Sequence, residues 1–297
     1  MLSQTVELAR KLKRFMLHMS NSSGLYYSGH YYSPVPASAD IKAPNERVKL
    51  ADILANLSIN YSYQQDLFRE MIKEYPNVDL PEVARQGKKY FCKNSFYSHM
   101  DGMTLSMMIR ILKPVRIIEI GSGFSSAAIL DTSDSMPGYK PYITFIEPDP
   151  ERLINLIGEE PSIYGADIIK KNVQSVDLDL FNKISKNDFL IIDSSHVVKY
   201  GSDLSFIFFK ILPRLMPGAV VHFHDIWKDF EYPLKWLREG IYWNESYFLR
   251  AFLAHNNAWE AIYMTDYMSS VNRKLYEENM PDCLISAGSS FYIRKVR

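Results

Sequence analysis

Arg116-Ile117-Ile118-Glu119-Ile120-Gly121-Ser122-Gly123-Phe124-Ser125-Ser126 decides how this chain is read. A short isoleucine-rich run reads as a buried strand, two glycines reverse the backbone, and a helix is expected from Ser125 or Ser126. Glycine is needed where backbone turns sharply and lets a ligand come close. In an open α/β sheet such a turn lies at the carboxyl end of a strand, the edge where ligands bind.

Outward from this stretch, short runs of Ile, Val and Phe alternate with helical segments. The expected strands are Val115–Ile120, Tyr142–Ile146, Asp167–Lys170, Phe189–Ile192 and Ala219–Phe223, with two more at Trp259–Met264 and Ser290–Lys295. The first four are joined by connections long enough for crossovers, as parallel strands require. Phe189-Leu190-Ile191-Ile192 is apolar throughout, as a strand buried on both faces should be. The expected fold class is α/β, a doubly wound, mostly parallel seven-stranded sheet with a helical N-terminal region.

Upstream, residues 1–20 read as a helix and 21–45 as an ordered loop punctuated by Gly24, Gly29, Pro34, Pro36 and Pro44. Residues 46–75 return to helical spacing through Leu50, Ile53, Leu54 and Leu57. Asp101–Leu112 is expected to be helical with Asp101 as its N-cap. The organisation expected is residues 1–94 as a helical and loop region that covers the site or offers a homodimer surface, and 95–297 as the sheet domain.

Composition narrows the partners. Lys and Arg total 34 against 34 acids, so nothing in the net charge favours nucleic acid. Cys92 and Cys283 stand in no metal-like spacing and suit a reducing cytoplasm. No run approaches the ~20 apolar residues that span a bilayer, and the N-terminus lacks a signal-peptide core. A cytoplasmic enzyme acting on a small molecule is the expectation.

The ligand of the glycine turn is read from three residues. Ser126 stands where G-x-G-x-x-G has its third glycine, which argues against a pyrophosphate on the helix. Glu119 precedes the turn and would meet a dinucleotide with like charge, but a cationic amino or sulfonium group favourably. Glu147 ends the second strand, placed to accept both hydroxyls of a ribose.

These residues resemble the glycine motif and second-strand acid of class I S-adenosylmethionine (SAM)-dependent methyltransferases, over residues ~95–297. The likeness is nearest to small-molecule methyltransferases of the Methyltransf_24 type, through Gly121–Ser126, Ile192-Asp193-Ser194-Ser195-His196 and His222-Phe223-His224-Asp225. It implies the Rossmann-like methyltransferase sheet, SAM as cofactor and transfer of its methyl group. Glu119, Gly121, Ser122, Gly123, Phe124, Ser125, Glu147 and Asp193 are then the expected cofactor-binding residues.

Transfer to an aliphatic hydroxyl needs a base, a metal or both. Asp193, His196, His224 and Asp225 end the fourth and fifth strands and should share one crevice. Likeness to metal-dependent sugar and catechol O-methyltransferases implies metal ligands at Asp193, His224 and Asp225. The imidazole departs from their oxygen set, so a divalent metal (Mg, or better the softer Mn) and no metal both stay open. His196 matches the base of the sugar enzymes, and an ordinary pKa near ~6.5 would suit it. His222 is read as a core histidine. Tyr31, Tyr32, Tyr97 and Trp227 are candidate acceptor contacts, along with His99, Phe230, Tyr232 and Trp236, and Phe230–Pro233 a candidate lid. O-methylation of a sugar or secondary metabolite is the leading expectation. An NAD-dependent oxidoreductase, a non-catalytic SAM-binding partner subunit and N-methylation are the alternatives.

Overall fold

The computed structural model describes residues 26, 28–41, 50–158 and 165–297, so the helix expected over residues 1–20 lies outside the described residues. The chain divides into two compact units, one of residues up to Glu46 with Pro233–Tyr242, the other of Arg47–Tyr232 with Trp243–Arg297.

The larger unit is built on a seven-stranded sheet. Its strands are β1 (Arg116–Ile120), β2 (Tyr142–Ile146), β3 (Ala166–Ile169), β4 (Phe189–Ile192), β5 (Val220–Phe223), β6 (Trp259–Met264) and β7 (Phe291–Lys295). Their order is β3-β2-β1-β4-β5-β7-β6. The first five pair in parallel, while β7 runs antiparallel between β5 and β6. β4 and β5 are buried at every residue, which is why they carry no polar alternation. All seven strands fall within one residue of the sequence reading at either end.

Helices close both faces of the sheet over two apolar layers. The helical pattern read over 46–75 resolves into a short turn of helix at Leu50–Leu54 and α1 (Tyr61–Glu74). The break falls where Leu57 and Ile59 bridge to Ala254 and Ala261, and Asn60 then caps α1 by accepting the Tyr63 N–H at 3.1 Å. α2 (His99–Leu112) is buried along most of its length beneath the sheet. Its N-cap is Ser98, not Asp101. Asp101 sits in the first turn, and its Oδ1 instead accepts the Ser289 N–H at 2.9 Å and the Ser290 hydroxyl at 2.6 Å. α3 (Phe124–Asp134) follows the glycine turn, α4 (Glu151–Ile157) follows β2, and α5 (Glu245–Leu253) precedes β6.

The described part of the smaller unit is a loop with a short helix, Leu234–Arg238. The Gly29 N–H donates to Val35 O at 2.9 Å, and Tyr26 stacks on His30 at 4.5 Å between ring centroids.

Candidate active site

Strand order reverses between β1 and β4, and the turn from β1 into α3 lies at that point. Gly121 has φ +81°, and a Cβ there would lie 1.9 Å from the Asp193 carbonyl oxygen. Only glycine allows the β1 turn and the end of β4 to close together in this way. The Gly121 N–H donates to Ile146 O and the Asp193 N–H to Ile120 O, each at 3.0 Å. Three strand ends are thereby tied side by side.

Ser126 explains how the turn survives without a third glycine. Its hydroxyl oxygen accepts the Gly123 N–H at 3.0 Å and donates to the Glu119 carboxylate. Glu119 is fully buried, and burial lifts its pKa to about 8 despite those hydroxyl contacts. Glu119 therefore braces the turn from beneath and does not line the cavity, contrary to its reading as a cofactor contact. Ser125 is buried too and likewise stays out of the lining.

A cavity of about 670 Å³ opens above the turn. Of the expected cofactor-binding residues, Gly121, Ser122, Gly123, Phe124, Glu147 and Asp193 line it. Glu147 accepts the Ser122 N–H through Oε2 at 3.0 Å and the Asp149 N–H through Oε1 at 2.9 Å. One donor on each oxygen leaves acceptor capacity for two further hydroxyls. The buried Ser194 hydroxyl, also in the lining, has no partner among the described residues. A cradle that excludes a Cβ, an acid with spare lone pairs and an unpaired hydroxyl fit a polar ligand the size of SAM.

The floor is a chain of alternating carboxylates and imidazoles. Asp101 Oδ2 lies 3.6 Å from His224 Nε2, and His224 Nδ1 lies 3.3 Å from Asp193 Oδ1. Asp193 Oδ1 is 3.4 Å from His196 Nε2, and His196 Nδ1 is 2.7 Å from Glu245 Oε2. Asp225 Oδ2 stands 3.8 Å from both His196 Nε2 and His224 Nδ1. Asp193, His196, His224 and Asp225 converge as the strand ends require, and all four line the cavity.

Electrostatics follow from that crowding. Burial alone would favour the neutral forms. His224 and His196 nevertheless hold Asp193 well below the usual carboxylate range. Burial likewise opposes charge on His196, yet Asp193 and Glu245 push it up to about 10, so the ordinary pKa expected for it does not hold. His224 is raised well above its usual value against burial, by Asp225, Asp193 and Asp101. Asp225 itself is raised, chiefly by burial. His222 is core, as read. It is fully buried, stacks on Tyr292 at 4.6 Å, and burial drops it to about 3.

Among the described residues, no group of three or more His, Cys, Asp or Glu is arranged to hold a metal ion. The expected metal ligands Asp193, His224 and Asp225 do converge on the floor, but the His224 imidazole is turned toward the two carboxylates, with Nδ1 3.3 Å from Asp193 Oδ1 and 3.8 Å from Asp225 Oδ2. Both His224 ring nitrogens face carboxylates, Nε2 toward Asp101 and Nδ1 toward Asp193.

Acceptor candidates separate. Tyr97 lines the cavity, with its ring 4.7 Å from His224. Trp227 does not line it and packs edge-on against Tyr232 at 6.1 Å. His99 is paired with Glu82 at 2.6 Å, away from the lining. Phe230 is fully buried 5.5 Å from Phe291, a core position rather than a lid, and the Tyr232 hydroxyl accepts the Ser246 N–H at 3.0 Å. Tyr31, Tyr32 and Trp236 belong to the smaller unit. Sequence reading missed Trp243, Glu245 and the Asn172–Gln174 wall, which lack any motif.

The family model described as "Methyltransferase domain" matches residues 118–226. An uncharacterised protein of Archaeoglobus fulgidus is 29% identical over 199 residues, covering 61% of this chain and 88% of that one. Among solved structures, the SAH-bound methyltransferase PaMTH1 of Podospora anserina is 14% identical, covers 83% of this chain and 93% of its own, and superposes with a TM-score of 0.44. An O-methyltransferase of Bacillus cereus in complex with SAH is 12% identical, covers 84% and 95%, and gives 0.39.

Proposed function

We propose that this chain, whose residues 118–226 match a methyltransferase-domain model, is a class I SAM-dependent methyltransferase that transfers the methyl group to a hydroxyl of a small molecule, a sugar or secondary metabolite, with His196 as the proton acceptor. The observation that carries this reading is one cavity shared by the Gly121–Gly123 turn and the Asp193, His196, His224 and Asp225 floor.

SAM, when bound, supplies an electrophilic methyl group on a positively charged sulfur. The chain's own residues do the rest. Glu147 has lone pairs for two ribose hydroxyls, and Gly121 keeps the wall thin beside Asp193. Asp193, held below the usual carboxylate range, presents its carboxylate to a cationic sulfur in the cavity. A hydroxyl acceptor must lose its proton as it attacks. His196 lines the cavity, and in its neutral form Nε2 can take that proton. The imidazolium that results is held by Glu245 on one side and Asp193 on the other.

Calorimetric titration with SAM, followed by transfer of labelled methyl to a panel of sugars and phenols, tests the reading. His196→Ala should bind SAM within about threefold of the parent and lose transfer by ~10²-fold or more. Full transfer in that variant would remove His196 from the mechanism and favour an amine acceptor. Absence of SAM binding together with a change in NADH fluorescence would favour the oxidoreductase alternative. Repeating the titration with Mn2+ and then with chelator tests metal assistance.

A further inference from the structure

The geometry points to Trp243-Asn244-Glu245 as a clamp on the loop that carries His196, with Glu245 as the positioning residue that fixes the imidazole and its charge. The inference rests on His196 as the proton acceptor and adds a residue that neither motif nor family match contains, since residue 245 lies beyond the matched segment 118–226.

His196 has φ +57°, a left-handed conformation that a side chain adopts only when its surroundings enforce it. The clamp supplies that enforcement. The His196 carbonyl accepts the Asn244 N–H at 3.1 Å and the Glu245 N–H at 3.2 Å. The Asn244 side chain grips the same loop twice, accepting the Val198 N–H at 2.6 Å and donating to Val198 O at 3.2 Å. Trp243 lies against the imidazole, 4.2 Å between centroids at 30°.

Glu245 completes the arrangement. Its Oε2 takes Nδ1 at 2.7 Å, which leaves Nε2 for the cavity side. The residue is fully buried, and its other oxygen has no partner among the described residues. It opens α5, where the helix dipole favours a carboxylate. A buried carboxylate with a single strong partner puts its charge to work on that partner. The other groups facing the ring are Asp193 from the end of β4 and Asp225 from the end of β5, with His224 behind both.

The test is NMR of the His196 ring nitrogens in the full-length chain with labelled histidine, between about pH 6 and pH 11, with SAM calorimetry on the same samples. In the parent, His196 Nδ1 should carry a proton throughout the neutral range. Glu245→Gln keeps the shape and can still accept from Nδ1, but loses the charge. It should lower the ring's titration midpoint by about one unit or more, a tenfold change in protonation, with SAM affinity held within about threefold. Asn244→Ala loosens the loop without touching the carboxylate and should leave the midpoint in place. A proton-free Nδ1 in the parent overturns the proposal without any variant. So does an unmoved midpoint in Glu245→Gln, or an equal shift in Asn244→Ala. A parent chain that ignores SAM would instead sink the proposed function, with the Glu245–His196 coupling still readable in the spectra.

Discussion

The Glu119 carboxyl lies beneath the glycine turn with its pKa at about 8, against ~4.3 for an unfolded glutamate. The folded chain therefore binds more protons between those values, and stability falls as pH rises from about 4 through about 8. Glu119→Gln keeps the acceptor for Ser126 and removes the titration. Its urea-unfolding free energy should vary less over that window than the parent's, with SAM binding kept. Parallel profiles would defeat the buried-acid account. Glu119→Ala strands the Ser126 hydroxyl and should cost ~1–3 kcal/mol. His196 also has a folded pKa above its unfolded value, and here the partners make it so. Its stabilising contribution is full below ~6.5 and is lost as pH rises through about 10. The neutral, proton-accepting fraction grows over the same range. Rate and stability should thus move in opposite directions, with kcat/KM climbing about tenfold per pH unit toward an alkaline limb. A limb at pH 6–7 would show that the carboxylates do not hold His196 as the structure implies.

At the scale of elements, the seam between β1 and β4 is the least forgiving part of the site. Gly121→Ala forces a Cβ against the Asp193 carbonyl while demanding a left-handed residue, and backbone cannot yield as a side-chain tip can. We expect a loss of at least ~1–3 kcal/mol in denaturant unfolding and SAM binding weakened by tenfold or more. Wild-type affinity in a folded variant would mean that the turn does not shape the cavity. This seam was legible in advance, because strands buried on both faces must be apolar runs, and Phe189–Ile192 is one. The helix starts were less legible. Asp101 has the chemistry of an N-cap, but tertiary partners at Ser289 and Ser290 claimed it. Glu245 was invisible, since it lies 49 residues from His196 and reads locally as an ordinary first-turn acid. The strand-end histidines could be placed together from topology alone. What raises them, four carboxylates from α2, β4, β5 and α5, could not, because that depends on long-range packing.

At the scale of the molecule, the antiparallel insertion of β7 between β5 and β6 lets the last segment of chain close the site from behind. Ser289 and Ser290, just before β7, bind Asp101, and Ser289 also donates to Asp225 at 3.1 Å. The floor is therefore assembled from α2 just ahead of the sheet, the parallel strands that follow it and the segment leading into β7 near residue 290. A ligand that binds the finished floor, and not its separated parts, must stabilise the whole unit. With SAM at 100 times its dissociation constant the gain is about 2.7 kcal/mol, enough to raise the melting temperature by several degrees. Hydrogen exchange should slow together at the turn after β1, at Asp193–His196 and at Ser289–Ser290, although the last pair lies outside the cavity lining. Slowing confined to the glycine turn would mean that ligand and floor are uncoupled, and that the carboxylate–imidazole chain serves the fold rather than the transfer.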